Sequence, residues 1–232
     1  MVREVIFDTE TTGLDPRSGD RLVELGCVEL VNRFPSGRTW HRYFNPDRDM
    51  PEAAFKIHGL SSQFLSDKPR FAEHAGDFLT FIGEASLIAH NASFDIGFLN
   101  AELERVGQPS LTMSRVVDTL QLARRKFPGA PASLDALCKR FGIDNAKRTK
   151  HGALLDSELL AEVYVELIGE RQAQLGLAQG QAMANGSVRR RALRARAKTL
   201  SPRLSPEESA AHRTFIAQLG EKAVWRKWLG EN

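Results

Sequence analysis

The hydrophobic pattern of the first 168 residues predicts strands first and helices afterwards. Val5-Ile6-Phe7 is a continuous apolar run, as in a buried strand, and it leads through Asp8, Thr9 and Glu10 into Thr11, Thr12 and Gly13, which turn the chain. Residues 22–33 read as a second strand, with Val23, Leu25 and Cys27 alternating. Pro35-Ser36-Gly37 signals a turn, and the aromatic-rich residues 38–44 suit the return strand of a hairpin. The period then becomes helical. A short helix is expected over 52–57, ending near Gly59, and a further helical turn over 61–66. Apolar residues at 71, 75, 78, 79 and 82 predict a helix over 71–82. An apolar strand at 87–89 precedes a helix carrying Phe94, Phe98, Ala101 and Leu103, closed by Gly107 and Pro109. A very short strand at 116–117 precedes a helix over 119–126. Ser133 caps a helix with Leu134, Leu137, Cys138 and Phe141 inward, stopped by Gly142, and a last helix spans 153–168. A meander of strands followed by strands alternating with helices is an α/β arrangement: a mixed antiparallel and parallel sheet flanked by helices.

Beyond residue 170 the pattern changes. Residues 172–180 are rich in Gln, Ala and Gly, as a linker is, and residues 189–198 (RRRALRARAK) form a basic run that is either a solvated, self-extending tether, the preferred reading, or a contact to DNA. Ser205-Pro206-Glu207-Glu208 starts a helix with Pro at its first position and a capping-box Glu. Phe215, Leu219, Trp225 and Trp228 follow, more apolar surface than so short a segment buries alone. The organisation expected is a domain over 1–170, a linker over 171–204 and a helical tail over 205–232 on a flexible tether. The tail either packs back on the core or docks on a partner protein, and docking is the preferred reading.

Charge follows the same division. The net charge is +3. Residues 179–232 hold 11 Lys/Arg against 4 Asp/Glu, leaving 21 basic and 25 acidic residues in the first 178. If the first part handles nucleic acid, it needs metal ions to offset phosphate charge. The two cysteines, Cys27 and Cys138, lie within apolar patterns and form no C-x-x-C, which argues against a zinc site or a disulfide framework. With no apolar run of about 18 residues and no secretory pattern, a cytoplasmic protein without a membrane span is expected.

Asp8 and Glu10 carry the candidate chemistry. Two residues apart on a strand, they share a face roughly 7 Å apart. Carboxylates at the end of a buried strand are costly unless a cation neutralises them, so the pair is either a divalent-metal platform or two solvated acids on an edge. Asp95, near a helix start, would alone be an acid interacting with the helix dipole. His151 precedes Gly152 and Asp156. Five helical positions subtend roughly 500°, so His151 belongs to the loop before the helix if it shares a site with Asp156.

Taken together, Asp8-x-Glu10 followed by TTGL, Asp95 in HNASFDIGFL, and His151-x4-Asp156 in HGALLDSELLAEVY resemble the three motifs of the DEDDh, or DnaQ-like, 3′–5′ exonucleases. IHGLS at 57–61 and VDT at 117–119 add to the resemblance, which covers about residues 5–168. It implies a ribonuclease H-like fold and metal-dependent hydrolysis that releases nucleoside 5′-monophosphates. Two divalent cations, Mg2+ or Mn2+, would lie about 4 Å apart and clamp the attacking and leaving oxygens. Asp8 would bridge them, Glu10, Asp95 and Asp156 would complete the site, and His151 would be the general base, its unperturbed pKa of about 6.5 suiting that task. The resemblance also suggests Thr11, Thr12, Leu14, His58, Asn91 and Phe94 as contacts to the 3′-terminal nucleotide. Backbone N–H groups near Thr11 to Gly13 would bond the 3′-OH, and Leu14 or Phe94 would rest against bases.

Within the family, a linker and a Trp-bearing tail resemble the epsilon-type proofreading subunits of bacterial DNA polymerase III. That layout implies removal of mispaired 3′-terminal nucleotides from DNA ends inside a replicase. It also implies docking on the polymerase alpha subunit through Phe215, Leu219, Trp225 and Trp228, and a sliding clamp (beta) bound through Gln172, Leu175 and Leu177. A small theta-like subunit is a further expected partner. The alternative is a stand-alone exonuclease that trims RNA or single-stranded DNA 3′ ends.

Overall fold

The strand at the centre of the sheet, β1 (Arg3–Thr11), carries both motif acids. The fold is described from a computed structural model, for residues 2–146, 148, 150–169 and 204–220. β1 pairs antiparallel with β2 (Leu22–Val31), which pairs antiparallel with β3 (Phe34–Tyr43). On its other side β1 is parallel to β4 (Ser86–Ala89), and β4 to β5 (Val116–Asp118). The order is β3-β2-β1-β4-β5, the mixed sheet expected from the sequence.

Because strand side chains alternate, β1 feeds two cores. Val5 and Phe7 join Leu25, Cys27 and Trp40 against α3 (Phe71–Ile82) and α4 (Ala92–Arg105), where Phe71, Phe78, Ile96 and Leu99 are buried. Ile6, Val28 and Ile88 face α5 (Thr119–Lys126), α6 (Leu134–Phe141) and α7 (Ala153–Ile168), meeting Leu137, Cys138, Leu160 and Val163. Two short helices, α1 (Glu52–His58) and α2 (Ser62–Leu65), follow the meander. Both cysteines are free and buried. Among the described residues no helix is long and apolar enough to cross a membrane.

One turn differs from the sequence reading. The β2–β3 hairpin turns at Asn32 and Arg33, both left-handed with φ of 51° and 71°, and Pro35, Ser36 and Gly37 lie inside β3. A tight hairpin needs positive φ at both central residues, and Asn tolerates it. Pro35 is accommodated because β3 is an edge strand, and the pairing is irregular between Val28 and Leu30.

Gly26 sets the position of α7. It lies opposite Asp8 on β2, and a Cβ there would fall 2.3 Å from the Leu154 nitrogen and 2.4 Å from the Ala153 carbonyl carbon. The Ser157 hydroxyl donates to the Gly26 carbonyl at 2.9 Å. The first turn of α7 therefore rests on bare backbone, which brings Asp156 down toward β1. Gly26→Ala is expected to cost about 1–3 kcal/mol through overpacking and to lower nuclease turnover by displacing Asp156. Chemical denaturation and a rate assay on the same preparation check both effects.

The chain divides into two compact units, 1–177 and 178–232. In the second, α8 (Pro206–Gln218) begins with a reciprocal cap: Ser205 Oγ accepts from the Glu208 N–H, and the Glu208 carboxylate accepts from the Ser205 N–H. Phe215 and Leu219 are exposed. Gln172, Leu175, Leu177, Trp225 and Trp228 lie outside the described residues, as does almost all of the expected 171–204 linker.

Candidate active site

Asp8 and Glu10 project from the face of β1 that also carries Ile6, toward the start of α7. Asp95, at the first turn of α4, comes from the other side. It is buried, and the Thr9 hydroxyl donates to its Oδ1 at 2.6 Å. Asn91 begins α4 in the left-handed conformation, φ 64°, and its N–H donates to Asp118, whose side chain also caps α5. His151 stands in the loop before α7, as its spacing from Asp156 requires, and its Nδ1 lies 3.2 Å from Asp156 Oδ2. Ligand atoms of Glu10, His151 and Asp156 all fall within 4.8 Å of one another.

Two cavities meet at these groups. One, of about 520 Å³, is lined by Asp8, Glu10 and Asp95 together with Thr11, Thr12, Leu14, His58 and Phe94. The other, of about 570 Å³, holds Asp156, Arg124, Arg148 and Asp135. Asp8, His90 and His151 line both. Of the sequence-derived nucleotide contacts, Asn91 alone lies outside the first lining. Leu14 is 83% exposed at that cavity, and half-buried Phe94 packs on Phe98 with ring centroids 5.0 Å apart. The expected backbone donors are partly committed, since the Thr12 N–H donates to the Arg21 carbonyl at 2.9 Å.

Electrostatics fit a cation. Burial first, and then the charges of Asp95, Glu10 and Asp156, push the Asp8 carboxyl well above the usual carboxylate range. Burial, then Glu24 directly across on β2 and then Asp156, push Glu10 up to about 8. Burial pushes Asp95 up to about 7 despite the Thr9 hydroxyl. Asp156 is the exception. Burial opposes its ionised form, but the hydrogen bonds and charge of Arg148, with His151 beside them, hold its pKa below the usual range. Glu10 Oε1 is buried without a hydrogen-bond partner. A buried acceptor of that kind, amid four carboxylates, is matched by a hard divalent ion, and the residues present suit one.

The raised acids set a pH dependence. A carboxyl with a raised folded pKa keeps its proton where the unfolded chain has lost it, so stability falls as pH rises from about 4 to about 8, by about 1.4 kcal/mol per pH unit for each retained proton. Asp156 works the other way, below about pH 4, where its stabilisation is lost. In chelator the protein is therefore expected to melt at a higher temperature at pH 5.5 than at pH 8, and Mn2+ should flatten that slope. Thermal denaturation across pH, with and without Mn2+, checks it.

Several participants escaped the sequence reading. Glu24 is hidden in an alternating strand and is held by His41 Nε2 at 2.7 Å. Asp20 lines the first cavity, and only a glycine at 13 leaves room for its carboxylate. His90 lies in the quoted HNASFD stretch, and its Nδ1 is 2.9 Å from Thr119 Oγ1. Arg148, three residues before His151, is the strongest omission.

The exonuclease model RNase_T matches residues 5–164. DNA polymerase III subunit epsilon of Rickettsia conorii is 48% identical over 222 residues, covering 94% of this chain and 96% of its own length. The protein of that name from Escherichia coli K12 is 40% identical over 238 residues, 97% and 98% of the two chains. Among solved structures, exonuclease X in complex with 5′-overhanging duplex DNA aligns with a TM-score of 0.56 and 27% identity, covering 73% of this chain and 92% of that one. The nuclease domain of 3′hExo, a DEDDh family member bound to rAMP, aligns at 0.62 with 17% identity over 72% and 92%, a likeness of fold.

Proposed function

The chain belongs to the exonuclease family and is a 3′–5′ exonuclease; on that premise we propose that it removes mispaired 3′-terminal nucleotides from DNA as the proofreading subunit of a replicative polymerase. The observation that carries this reading is the convergence of Asp8, Glu10, Asp95, Asp156 and His151 on adjoining cavities, with one buried Glu10 oxygen lacking a partner.

The family is metal-dependent, and Asp8, Glu10, Asp95 and Asp156 would hold two divalent cations, Mg2+ or Mn2+. When bound, these supply charge neutralisation at the reacting phosphate. The chain's own groups do the rest. With Nδ1 turned to Asp156, 3.2 Å away, His151 would take the proton of the attacking water at Nε2 once that nitrogen offers a lone pair. A cavity of about 520 Å³ is within the size range of a small-molecule pocket, and so suits one terminal nucleotide. Exposed Leu14 and half-buried Phe94 offer apolar faces to its base, and buried Thr11, Thr12 and His58 offer polar atoms to its sugar. Unpairing a terminus costs least when it is mismatched, so a one-nucleotide cavity of this kind favours misbuilt ends.

Homologues of this name imply association with DNA and with the polymerase. In our reading the tail docks on the alpha subunit and residues 172–177 on the sliding clamp, with a theta-like subunit as a third contact. A chain ending at Ile168 is expected to keep exonuclease activity on free primers and to lose capture of the polymerase. Replacing Leu175 and Leu177 should weaken clamp binding alone. Pull-down and surface-binding measurements check these.

The activity itself is tested with a 5′-labelled primer carrying a 3′ mismatch. Stepwise shortening with release of nucleoside 5′-monophosphates is expected in Mg2+ or Mn2+, none in chelator, and slower shortening of a matched end. Faster attack on RNA ends than on DNA ends would favour the stand-alone trimming alternative.

A further inference from the structure

Asp156 already has a cationic partner. Arg148 donates from Nε to Asp156 Oδ1 at 2.6 Å and from Nη2 to Oδ2 at 2.7 Å, a two-pronged grip on both carboxylate oxygens. Its side chain is only 7% exposed. The same Nη2 lies 2.8 Å from His151 Nδ1, closer than its 3.4 Å to Nε2. The third nitrogen, Nη1, reaches Asp135 at the start of α6 at 2.8 Å. Asp135 is itself fixed, because Asn145 Nδ2 donates to its other oxygen at 2.9 Å. One guanidinium thus joins a candidate metal ligand, the candidate base and a surface acid.

Two consequences follow from donor and acceptor chemistry. A guanidinium only donates, so His151 Nδ1 must offer it a lone pair, which places the neutral ring's proton on Nε2. In that tautomer Nε2 has no lone pair for a water proton. A divalent cation, in turn, needs carboxylate oxygen at about 2.1 Å, where Arg148's hydrogen bonds and charge stand against it. The ligand atoms of Glu10 and His151, within 4.8 Å of Asp156, lie where that contest takes place.

We propose that Arg148 is a latch: its guanidinium and a divalent cation compete for Asp156, and when the cation prevails Arg148 lets go of Asp156 and His151 and keeps only its bond to Asp135. The 48%-exposed ring then loses its Nε2 proton to solvent and takes one from solvent at Nδ1, so that Nδ1–H donates to Asp156 Oδ2 and Nε2 recovers the lone pair a base requires. Cation loading and readiness of the base become one event. Arg148 is a positioning residue in this scheme, acting through Asp156 and His151. The proposal rests on the assignment of Asp156 as a metal ligand.

Calorimetric titration of Mn2+ into the full-length protein, without nucleotide, tests it. Arg148→Lys keeps the charge and loses the fork, so it separates a latch from a general electrostatic effect. It is expected to bind Mn2+ about tenfold more tightly than the wild type, the scale of a charged hydrogen bond. Ring-nitrogen spectra should move His151 from the Nε2–H to the Nδ1–H tautomer on adding Mg2+. Unchanged or weaker Mn2+ binding by Arg148→Lys, or an unchanged tautomer, would overturn the latch. A wild-type chain that binds no Mn2+ would instead overturn the metal-site reading beneath it.

Discussion

Asp8→Asn is expected to lower exonuclease turnover by about a thousandfold or more while making the chelated protein more stable at pH 8. The loss follows from position. Asp8 lines both cavities and sits opposite Gly26, where α7 delivers Asp156, so it is the acid best placed to be shared between cations. Removing a charge-stabilising group that acts at the reacting phosphate forfeits several kcal/mol, and each 1.36 kcal/mol is about tenfold in rate. The gain follows from electrostatics. Burial and the charges of Asp95, Glu10 and Asp156 all oppose the ionised Asp8 carboxyl, and an amide of the same shape removes that cost. A rate assay on a mismatched primer and a thermal melt in chelator measure the two effects. A variant that lost stability along with activity would show Asp8 to be a structural acid.

His151→Ala is the second large effect, with an expected fall in turnover of about 10²–10⁴-fold, the usual contribution of a positioned general base. Its ring is 48% exposed in the loop before α7, so the fold should lose little. Mn2+ affinity should stay near the wild-type value, because the oxygen ligands remain. Near-normal turnover would remove His151 from the base role. Loss of Mn2+ binding together with activity would make it a ligand, which its position within 4.8 Å of Glu10 and Asp156 also permits.

What the sequence revealed of this fold and site depended on the range of each signal. The helices at 71–82, 119–126 and 153–168 were legible because apolar period and capping are local properties. The strand acids were legible because the two-residue period fixes which positions share a face. The His151–Asp156 pair was legible only through the resemblance to the exonuclease motifs, while helical geometry added that His151 must stand in the loop before α7 if the two share a site. The β2–β3 turn was missed because Pro35-Ser36-Gly37 is a stronger local signal than Asn32-Arg33, and only pairing with β2 shows where the chain reverses. Gly26 gave no sign of its importance, because what approaches it is a helix start 127 residues later in the chain. Arg148 read as one more basic residue of a loop. Its meaning lies in Asp135, Asp156 and His151, which come together only in the folded chain.

The central claim is that four carboxylates from β1, α4 and α7 form one divalent-cation site. Anomalous scattering from crystals of the full-length protein soaked in Mn2+ tests it most directly. The account predicts Mn2+ peaks among the carboxylates of Asp8, Glu10, Asp95 and Asp156, absent from Asp8→Asn crystals treated alike. Mn2+ bound elsewhere on the chain, with nothing at these acids while the protein still shortens a primer, would contradict it.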